Sequence, residues 1–477
     1  MPTPRAPDPR LPKTCIIGAG SSGISAAKVL AECGVPFDCF EKSDRVGGNW
    51  VFRNTNGMSS AYRSLHINTS RDKMAYSDFP MPREFPDYPH HAQIAAYFDA
   101  YVEHFGFRDR IQFNTGIKRV ERTADHLWKV VLESGEQRLY DALIVASGHH
   151  WDPRWPEPAY PGSFDGKQFH SHYYIDPTDP VDCAGKNVLV VGFGNSALDI
   201  ACELGRKGVA RNLFLSQRRG YWVIPKYMAG EVLDAHVPHP SKDPPWYQRY
   251  LPSDLMRSFV ERRLASTAGR PEQYGLPKPD HPLFSTHPAV SQELYIRVGS
   301  GDVKPKPGVR ELRPFQVAFV DGSVEDIDVI IWCTGYKISF PYFDEGVISA
   351  PGNDIALWKR MVDPRFANLF FVGLVQPLCA MMPIAEEQSK FVANYLIGRY
   401  AMPPVEVMNA ERIEMHERAK SRFVSTPRHT IQINCGEYTY DLRRELAKGL
   451  RRAAAQGYAL PVEPRVIRPS PKQTVAA

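Results

Sequence analysis

Two glycine-rich turns, each directly after a short apolar run, constrain the fold of this chain more than any other feature. The first turn, Gly18-Ala-Gly20-Ser-Ser-Gly23, follows the apolar residues 14–17, and the second, Gly192-Phe-Gly194-Asn-Ser-Ala197, follows residues 188–191. In each copy this order predicts a strand, a tight turn and a helix. The glycines allow the backbone to approach a pyrophosphate at the positive end of the helix. The chain is therefore predicted to be an α/β protein with two Rossmann-like dinucleotide-binding domains.

The residue that reads the ribose differs between the two copies. In such turns the next strand ends, about 20 residues on, in a side chain that contacts the ribose. Glu41 takes this position in the first copy, whereas the second copy has Arg218 and Arg219 there. A carboxylate accepts hydrogen bonds from ribose hydroxyls and repels a 2′-phosphate, whereas guanidinium groups pair with a 2′-phosphate. The first site therefore favours FAD or NAD, and the second favours NADP.

A further glycine pair beyond Glu41 favours FAD at the first site. Gly47-Gly48-Asn49-Trp50 allows the backbone to approach a flavin closely, and Trp50 can pack over it; the alternative is a plain turn with a core tryptophan. These patterns predict FAD contacts at Gly18, Ala19, Gly20, Ser21, Ser22, Gly23, Glu41, Gly48, Asn49 and Trp50, and NADP contacts at Gly192, Gly194, Asn195, Ser196, Ala197, Arg218 and Arg219.

An internal repeat sets the expected domain bounds. An apolar strand ending in a glycine turn occurs at 140–148 and again at 326–335, and each follows a segment typical of a β-meander. The FAD-binding domain is expected to comprise residues 13–176 and 326–460, and the NADP-binding domain, inserted in it, residues 177–325. Residues 228–307 are expected to form a mostly helical insertion, residues 1–12 a disordered lead-in and residues 461–477 a flexible tail.

The composition is that of a soluble globular enzyme. Of the 477 residues, 43% are hydrophobic and 23% are charged, and the net charge of +5 gives no reason to expect nucleic acid as a partner. The eight cysteines include no CxxC pair, so we expect free, mostly buried thiols in a reducing, cytoplasmic compartment. The longest apolar stretch, 369–385, is interrupted by glycine and proline, so no membrane span is expected. The histidines lack the spacing of metal ligands, so no metal site is predicted.

The segment between the two turns is typical of one enzyme family. Phe164-Asp-Gly166-Lys-Gln-Phe-His170-Ser-His-Tyr-Tyr174 resembles the F-x-G-x-x-x-H-x-x-x-Y fingerprint of the flavin-containing monooxygenases, which are class B flavoprotein monooxygenases. Residues 62–80, 214–223, 334–336, 371–383 and 428–432 resemble, in turn, the family's active-site segment, NADP-binding strand, T-G-Y signature, flavin-contacting turn and a C-terminal stretch. The resemblance is to the shorter, soluble members, because the animal members carry a hydrophobic C-terminal anchor that has no counterpart here.

The resemblance implies an oxygenation that depends on NADPH and O₂. NADPH would reduce the flavin, O₂ would add to it as a C4a-hydroperoxyflavin, and an amine nitrogen or a sulfide sulfur would take the distal oxygen. Asn68 is the predicted catalytic residue, because a neutral amide can form hydrogen bonds at the flavin–nicotinamide junction without protonating the peroxide. His66, Asn68, Val120 and Gln376 are further predicted FAD contacts. His170 is expected to play a structural role between the domains, and a homodimer is the expected assembly.

Four rival functions share parts of this pattern. A Baeyer–Villiger monooxygenase inserts oxygen beside a ketone, but its fingerprint usually ends in Trp where this chain has Tyr174. An N-hydroxylase of amino-acid side chains shares the T-G-Y signature but not the fingerprint. A disulfide-type flavin reductase is excluded, because it needs a cysteine pair beside the flavin and no such pair is expected here. A non-catalytic redox sensor that binds NADP is disfavoured by the intact active-site segment.

Overall fold

The computed structural model describes residues 4–245, 253–424 and 430–461. The strands in these ranges are β1 (Thr14–Ile17), β2 (Phe37–Phe40), β3 (Ile111–Gln112), β4 (Ile117–Arg122), β5 (Trp128–Leu132), β6 (Gln137–Tyr140), β7 (Ala142–Val145), β8 (Asp152–Pro153), β9 (Lys167–His170), β10 (Asn187–Val191), β11 (Asn212–Ser216), β12 (Val223–Ile224), β13 (Tyr227–Met228), β14 (Glu231–Val232), β15 (Ala289–Val290), β16 (Lys304–Lys306), β17 (Val309–Arg313), β18 (Gln316–Phe319), β19 (Val324–Asp326), β20 (Val329–Trp332), β21 (Tyr336–Lys337), β22 (Leu369–Phe371), β23 (Gln376–Pro377) and β24 (Gln432–Ile433). The α-helices are α1 (Ser21–Cys33), α2 (Arg71–Met74), α3 (His91–Phe105), α4 (Asn195–Leu204), α5 (Ser253–Thr267), α6 (Leu294–Gly299), α7 (Met381–Leu396), α8 (Val405–Arg422) and α9 (Cys435–Ala455). Short 3₁₀ helices lie at Gly48–Trp50, Arg108–Arg110, Ser171–Tyr173, Pro271–Tyr274 and Pro351–Asn353.

The first sheet carries the first glycine turn at the carboxyl end of its central strand. Its strand order is β22-β7-β1-β2-β3, and every pair is parallel. Strands β1 and β7 are buried along their whole length, which is typical of parallel strands whose two faces are both covered. Helix α1 follows the turn and packs beside α7, where the hydroxyls of Ser25 and Ser389 lie 3.4 Å apart.

The second sheet repeats the first. Its order is β16-β11-β10-β20-β9, again with every pair parallel. Strand β10 occupies the central position of β1, with β11 in the place of β2 and β20 in the place of β7. In each unit a three-stranded antiparallel meander, β4-β5-β6 or β17-β18-β19, leads into the strand that returns to the sheet. Two Rossmann-like units in one α/β chain, as predicted, are therefore confirmed.

The strand pairing divides the chain differently from the expected bounds at 177 and 325. Strands β9 and β20 lie outside that range, yet both pair within the second sheet, with Phe169 opposite Ile331 and Ile331 opposite Val190. The second unit therefore includes residues 167–170 and 329–332, because its parallel strands come from both sides of the expected insertion. Strand β22 then returns to the first sheet, and the largely helical C-terminal part follows it.

Residues 228–307 are less helical than expected. In the described part of this segment, helix is confined to α5, α6 and the 3₁₀ turn at 271–274. The remainder consists of short strands, turns and irregular backbone, and β16 belongs to the edge of the second sheet. Proline removes a backbone donor and breaks a helix, and this segment is rich in proline. The prediction of a mostly helical insertion is therefore wrong.

The N-terminal segment is ordered from its first described residue. The amide of Arg5 donates to the carbonyl of Ala31 at 3.1 Å, and that of Asp8 donates to the carbonyl of Gly34 at 2.8 Å. The expected disordered lead-in therefore lies against the end of α1. Most of the expected C-terminal tail falls outside the described residues. In the parts of the chain that the structure describes, no helix is both long and apolar enough to cross a membrane.

Two of the eight cysteines are joined. Cys379 and Cys435, which are 56 residues apart in sequence, form a disulfide. The expectation of free thiols is therefore wrong for this pair, since connectivity between distant cysteines cannot be deduced from sequence. The other cysteines are free, and most of them are buried.

Candidate active site

A cavity of about 1410 Å³ opens where the carboxyl ends of the two parallel sheets face each other. Residues that follow β1, β2 and β7 form one wall, and residues that follow β10, β11 and β20 form the other. Ligands of open α/β sheets bind outside the carboxyl ends of the strands, and a pocket for a single small ligand has a volume of about 300–1,000 Å³. The position and the volume both fit two dinucleotides in one cavity.

The first glycine turn presents an uncapped helix N-terminus to the cavity. Helix α1 begins at Ser21 after Gly20, and no side chain caps it. Gly18 has a φ of 96°, which favours glycine. A Cβ at Gly23 would lie 1.8 Å from the carbonyl oxygen of Gly18, so only glycine allows this close contact of helix and turn. The free N–H groups at such a helix end bind a pyrophosphate.

Glu41 lies at the cavity wall with its carboxylate already oriented by the protein. It is 4% exposed, and its two oxygens accept hydrogen bonds from the amide of Ala19 at 2.7 Å and from the amide and hydroxyl of Ser43 at 2.8 and 2.9 Å. The carboxylate thus fixes the glycine turn as well as facing the cavity. Each carboxylate oxygen has more than one lone pair, so ribose hydroxyls can still donate to it.

The second glycine turn also leads into a helix without a side-chain cap, but arginines rather than a carboxylate lie at its ribose-binding position. Helix α4 begins at Asn195 after Gly194 without a side-chain cap, and Ala197 is accommodated where the first copy requires glycine. Arg218 lines the cavity, and no carboxylate of the described residues pairs with it. Arg219 instead forms a bidentate ion pair with Asp280, with its closest contact at 2.7 Å. Only Arg218 of the two is therefore placed to receive a 2′-phosphate.

Gln217, beside Arg218, was missed by sequence reasoning. It is 3% exposed and lines the cavity, and neither its amide nitrogen nor its amide oxygen has a hydrogen-bond partner in the described structure. Leaving a buried polar group without a hydrogen-bond partner costs about 1–3 kcal/mol of free energy. A ligand that forms hydrogen bonds with both amide atoms of Gln217 would recover that free energy. A glutamine next to two arginines gives no sequence signal of this role.

Asn68 lines the cavity and follows a residue whose backbone is held by two hydrogen bonds. Just before it, the amide of Ile67 donates to the carbonyl of Pro89 at 3.1 Å, and the carbonyl of Ile67 accepts from Nζ of Lys226 at 3.0 Å. The side-chain oxygen of Asn68 is buried and has no partner. This is the geometry expected of an amide that completes its hydrogen bonds with a ligand.

Three histidines at or near the cavity are held in the neutral form by burial. Burial lowers the pKa of His149 well below its usual value, and burial also lowers the pKa of His66, whose Nδ1 lies 2.9 Å from the carbonyl oxygen of Ser64. His170, at the end of β9, is fully buried, and burial lowers its pKa to about 4. Its Nδ1 accepts from the amide of His172 at 3.0 Å, which is a structural contact. Near neutral pH these rings are uncharged.

A third uncapped helix N-terminus completes the wall on the side of the first unit. Helix α7 begins at Met381 after Ala380 with no side-chain cap, and Gln376, Cys379 and Ala380 line the cavity. Gln376, a predicted FAD contact, therefore lies at the cavity wall. Cys379 belongs to the disulfide with Cys435, so the absence of a cysteine pair no longer argues against a disulfide-type reductase.

The structure brings most of the predicted site residues to one cavity. Those that line it are Gly18, Gly20, Ser21, Ser22, Glu41, Gly48, Asn49, Trp50, His66, Asn68, Gln376, Gly192, Gly194, Asn195, Ser196, Ala197 and Arg218. Four predicted residues do not line it. Ala19 and Gly23 shape the first turn from behind, Arg219 is held by Asp280, and Val120 is 3% exposed in β4 with its amide donating to the carbonyl of Tyr342 at 2.7 Å. The predicted FAD contact of Val120 is therefore not supported by its position.

The residues present fit FAD and NADP. The turns of the two units supply a pair of helix N-termini for pyrophosphates. Gly20 and Gly48 leave a gap between each other that a side chain would fill, because a Cβ on Gly48 would lie 3.1 Å from the Cα of Gly20. The unpartnered side-chain oxygen of Asn68 and both unpartnered amide atoms of Gln217 belong to residues that line the same cavity.

Comparison with known proteins identifies relatives along almost the whole chain. A sequence profile of the family described as flavin-binding monooxygenase-like matches residues 12–449. Flavin-containing monooxygenase 5 of Rattus norvegicus is 36% identical over 454 residues, which cover 91% of this chain and 82% of the relative. Dimethylaniline monooxygenase [N-oxide-forming] 2 of the same species is 34% identical over 448 residues, with the same coverage.

Solved structures share the fold. The S-allyl-L-cysteine S-oxygenase of Allium sativum is 23% identical, with a TM-score of 0.67, and the match covers 95% of this chain and 90% of that one. An oxidised steroid monooxygenase bound to NADP is 18% identical, with a TM-score of 0.67 and coverage of 94% and 98%.

Proposed function

This chain belongs to the flavin-binding monooxygenase-like family, and on that basis we propose that it oxygenates a soft nucleophile, an amine nitrogen or a sulfide sulfur, with NADPH and O₂. The observation that carries the proposal is the single cavity lined by both dinucleotide turns, Arg218 and Asn68, whose side-chain oxygen has no partner. Two cofactors bound in one cavity are positioned to exchange a hydride.

The first unit is suited to hold FAD and the second to hold NADPH. The N-terminus of α1 and Glu41 would take the pyrophosphate and ribose of FAD, while the N-terminus of α4, Gln217 and Arg218 would take the pyrophosphate and 2′-phosphate of NADPH. FAD, when bound, supplies the chemistry: it accepts electrons from NADPH and passes them to O₂. The protein contributes binding, orientation and exclusion of water.

Asn68 fits this chemistry because it carries no proton that it can transfer. Its amide can donate and accept hydrogen bonds, yet it is neutral at all relevant pH values. The nearby histidines His66 and His149, whose pKa values are lowered by burial, are likewise uncharged near neutral pH. These three side chains therefore place no charged acid beside the site.

The names of the relatives support amines and sulfides as the substrate class. One relative is N-oxide-forming and acts on dimethylaniline by name, and one protein of the same fold is an S-oxygenase of an allyl cysteine. Tertiary amines and thioethers both offer an exposed lone pair. A homodimer is also a proposal, which light scattering of the purified protein tests. A cytoplasmic location is a further proposal, and it requires Cys379 and Cys435 to be reduced in cells, because a reducing compartment opposes their disulfide. A Cys379–Cys435 disulfide found in cells would contradict it.

The proposal is tested with the purified holoprotein. We expect a yellow protein that oxidises NADPH in air faster when a thioether or a tertiary amine is added, with sulfoxide or N-oxide formed in proportion to NADPH consumed. Arg218→Ala should slow NADPH oxidation, and Arg219→Ala serves as its matched control, since Arg219 lies outside the cavity.

Other outcomes would contradict the proposal. An ester or lactone formed from a ketone, without sulfoxide or N-oxide, would assign Baeyer–Villiger oxygenation instead. A protein that binds NADPH but oxidises none of it with any substrate would support the redox sensor.

A further inference from the structure

The active-site segment is attached to the NADP helix by the hydroxyl of Tyr62. Tyr62 opens the segment that carries Asn68, is 4% exposed, and donates its hydroxyl hydrogen to a carboxylate oxygen of Asp199. Asp199 lies on α4, the helix whose N-terminus faces the cavity at Gly194. One hydrogen bond therefore spans the two units, between the segment beside the flavin site and the helix at the NADP site.

A second bridge to the same helix lies one turn further along. The hydroxyl of Tyr174 donates to Oε2 of Glu203 at 3.0 Å, and the hydroxyl of Ser64 donates to the same oxygen at 2.9 Å. Asp199 and Glu203 are four residues apart and so lie on one face of α4. The rings of Tyr62 and Tyr174 pack edge to face, with their centroids 6.1 Å apart. The last residue of the fingerprint thus joins the same contact between units.

The backbone of the segment is held to the second unit as well. The amide of Arg63 donates to the carbonyl of Ile175 at 2.8 Å, and Lys226 donates to the carbonyl of Ile67, next to Asn68, at 3.0 Å. Ile175 lies after β9 of the second sheet, and Lys226 lies after β12, so both partners belong to the second unit or to the segment leading into it. A shift of α4 on NADP binding would therefore be transmitted to the residues that place Asn68.

We propose that Asp199 and Glu203 are positioning residues that couple occupancy of the NADP site at the start of α4 to the placement of Asn68. The inference rests on the proposed function, because it assumes that NADP binds at this turn and that Asn68 acts at the flavin. Neither carboxylate touches a reacting atom. Both act through the hydroxyls of Tyr62, Ser64 and Tyr174.

The bridge at Asp199 also has a distinct dependence on pH. Burial raises the pKa of Asp199 to about 6, although the Tyr62 hydroxyl and the charge of Lys226 oppose the shift. The titratable groups that face it are Tyr62 from the active-site segment, Lys226 after β12, Glu203 and Cys202 on the same helix, and Glu293 at the start of α6. Above pH 6 the carboxylate is charged and accepts a strong hydrogen bond from Tyr62; below pH 6 it becomes neutral and the bond weakens.

The test compares variants of the holoprotein by their affinity for NADP⁺ and by the share of NADPH electrons released as H₂O₂. Tyr62→Phe and the double variant with Asp199→Asn remove the bridge, whereas Asp199→Asn alone replaces its charged acceptor with a weaker, neutral amide oxygen. Tyr173→Phe is the matched control, because it removes a hydroxyl from the residue next to Tyr174 that is 50% exposed. FAD content and melting temperature show that each variant is folded.

We expect each bridge variant to raise the dissociation constant of NADP⁺ at least about fivefold, the lower end of typical coupling between sites. H₂O₂ release should rise with it, and the double variant should differ little from Tyr62→Phe, since both lack the hydroxyl that donates to residue 199. The native protein should bind NADP⁺ more tightly than Asp199→Asn near neutral pH, and this difference in affinity should shrink as the pH falls below about 6.

Equal NADP⁺ affinity in Tyr62→Phe and Tyr173→Phe, or fully additive effects in the double variant, would overturn the inference. If Tyr62→Phe does not retain FAD, Ser64→Ala and Glu203→Gln test the second bridge by the same measurements. If the native protein binds NADP⁺ but oxygenates nothing, the proposed function is contradicted, while the NADP⁺ affinities of the variants still show whether the two sites are coupled. If it oxygenates and the affinities are unchanged, the coupling alone fails.

Discussion

Arg218→Ala should make the protein much less able to distinguish NADPH from NADH. Arg218 lines the cavity beyond β11, is exposed, and is paired with no carboxylate of the described residues. Its guanidinium is therefore fully available to a 2′-phosphate. A hydrogen bond to a charged group contributes about 1.5–3 kcal/mol, which corresponds to a factor of about 10–150. We expect kcat/KM for NADPH to fall by that factor, while kcat/KM for NADH changes less than about twofold.

The neighbouring arginine provides the control for this experiment. Arg219 forms its ion pair with Asp280 away from the cavity, and a partly exposed pair of this kind contributes about 0–1 kcal/mol to stability. Arg219→Ala should therefore leave both kcat/KM values nearly unchanged. The assay is initial-rate NADPH and NADH oxidation under air with one thioether as substrate. A loss in Arg219→Ala as large as that in Arg218→Ala, or an equal loss for both nucleotides, would refute the assignment of the 2′-phosphate to Arg218.

Three further predictions concern other parts of the molecule. Asn68→Asp should retain FAD and NADPH oxidation but release most of the electrons as H₂O₂, because a carboxylate near the flavin repels charge and can carry a proton. A variant that still forms oxygenated product in proportion to the NADPH consumed would contradict the role of Asn68. Cys435→Ser should lower the free energy of unfolding by about 4 kcal/mol, since the disulfide closes a loop of 56 residues, and the difference should vanish in a reducing agent in denaturant titrations. The folded pKa of Asp199, about 6, is above its unfolded value of 3.8, so the native protein should lose up to about 3 kcal/mol of stability relative to Asp199→Asn as the pH rises from 4 to 7; parallel pH profiles of stability would contradict this.

The parts of the fold that could be predicted from sequence are those that local patterns determine. A glycine turn after an apolar run requires only a few adjacent residues, so both dinucleotide units and the positions of Glu41 and Arg218 followed from the sequence. The bounds of the second unit did not, because β9 and β20 are more than 150 residues apart in sequence and meet only through pairing in the folded sheet.

The errors at the site have the same origin. Arg218 and Arg219 are adjacent, yet one faces the cavity and the other faces Asp280, a residue 61 positions later that no local pattern identifies. The disulfide of Cys379 depends on a contact across a comparable distance in sequence. Gln217 is recognisable only after folding, because its signature is the absence of hydrogen-bond partners around a buried amide.

We conclude that one cavity couples NADPH oxidation to oxygen transfer from O₂, and isotope labelling provides a direct test of this claim. The purified protein is supplied with NADPH, a thioether and ¹⁸O₂, and the product is analysed by mass spectrometry alongside NADPH consumption. We predict a sulfoxide that carries one ¹⁸O atom for each NADPH oxidised. A product without ¹⁸O, or NADPH oxidation that yields only H₂O₂ with every amine and sulfide tested, would contradict the claim.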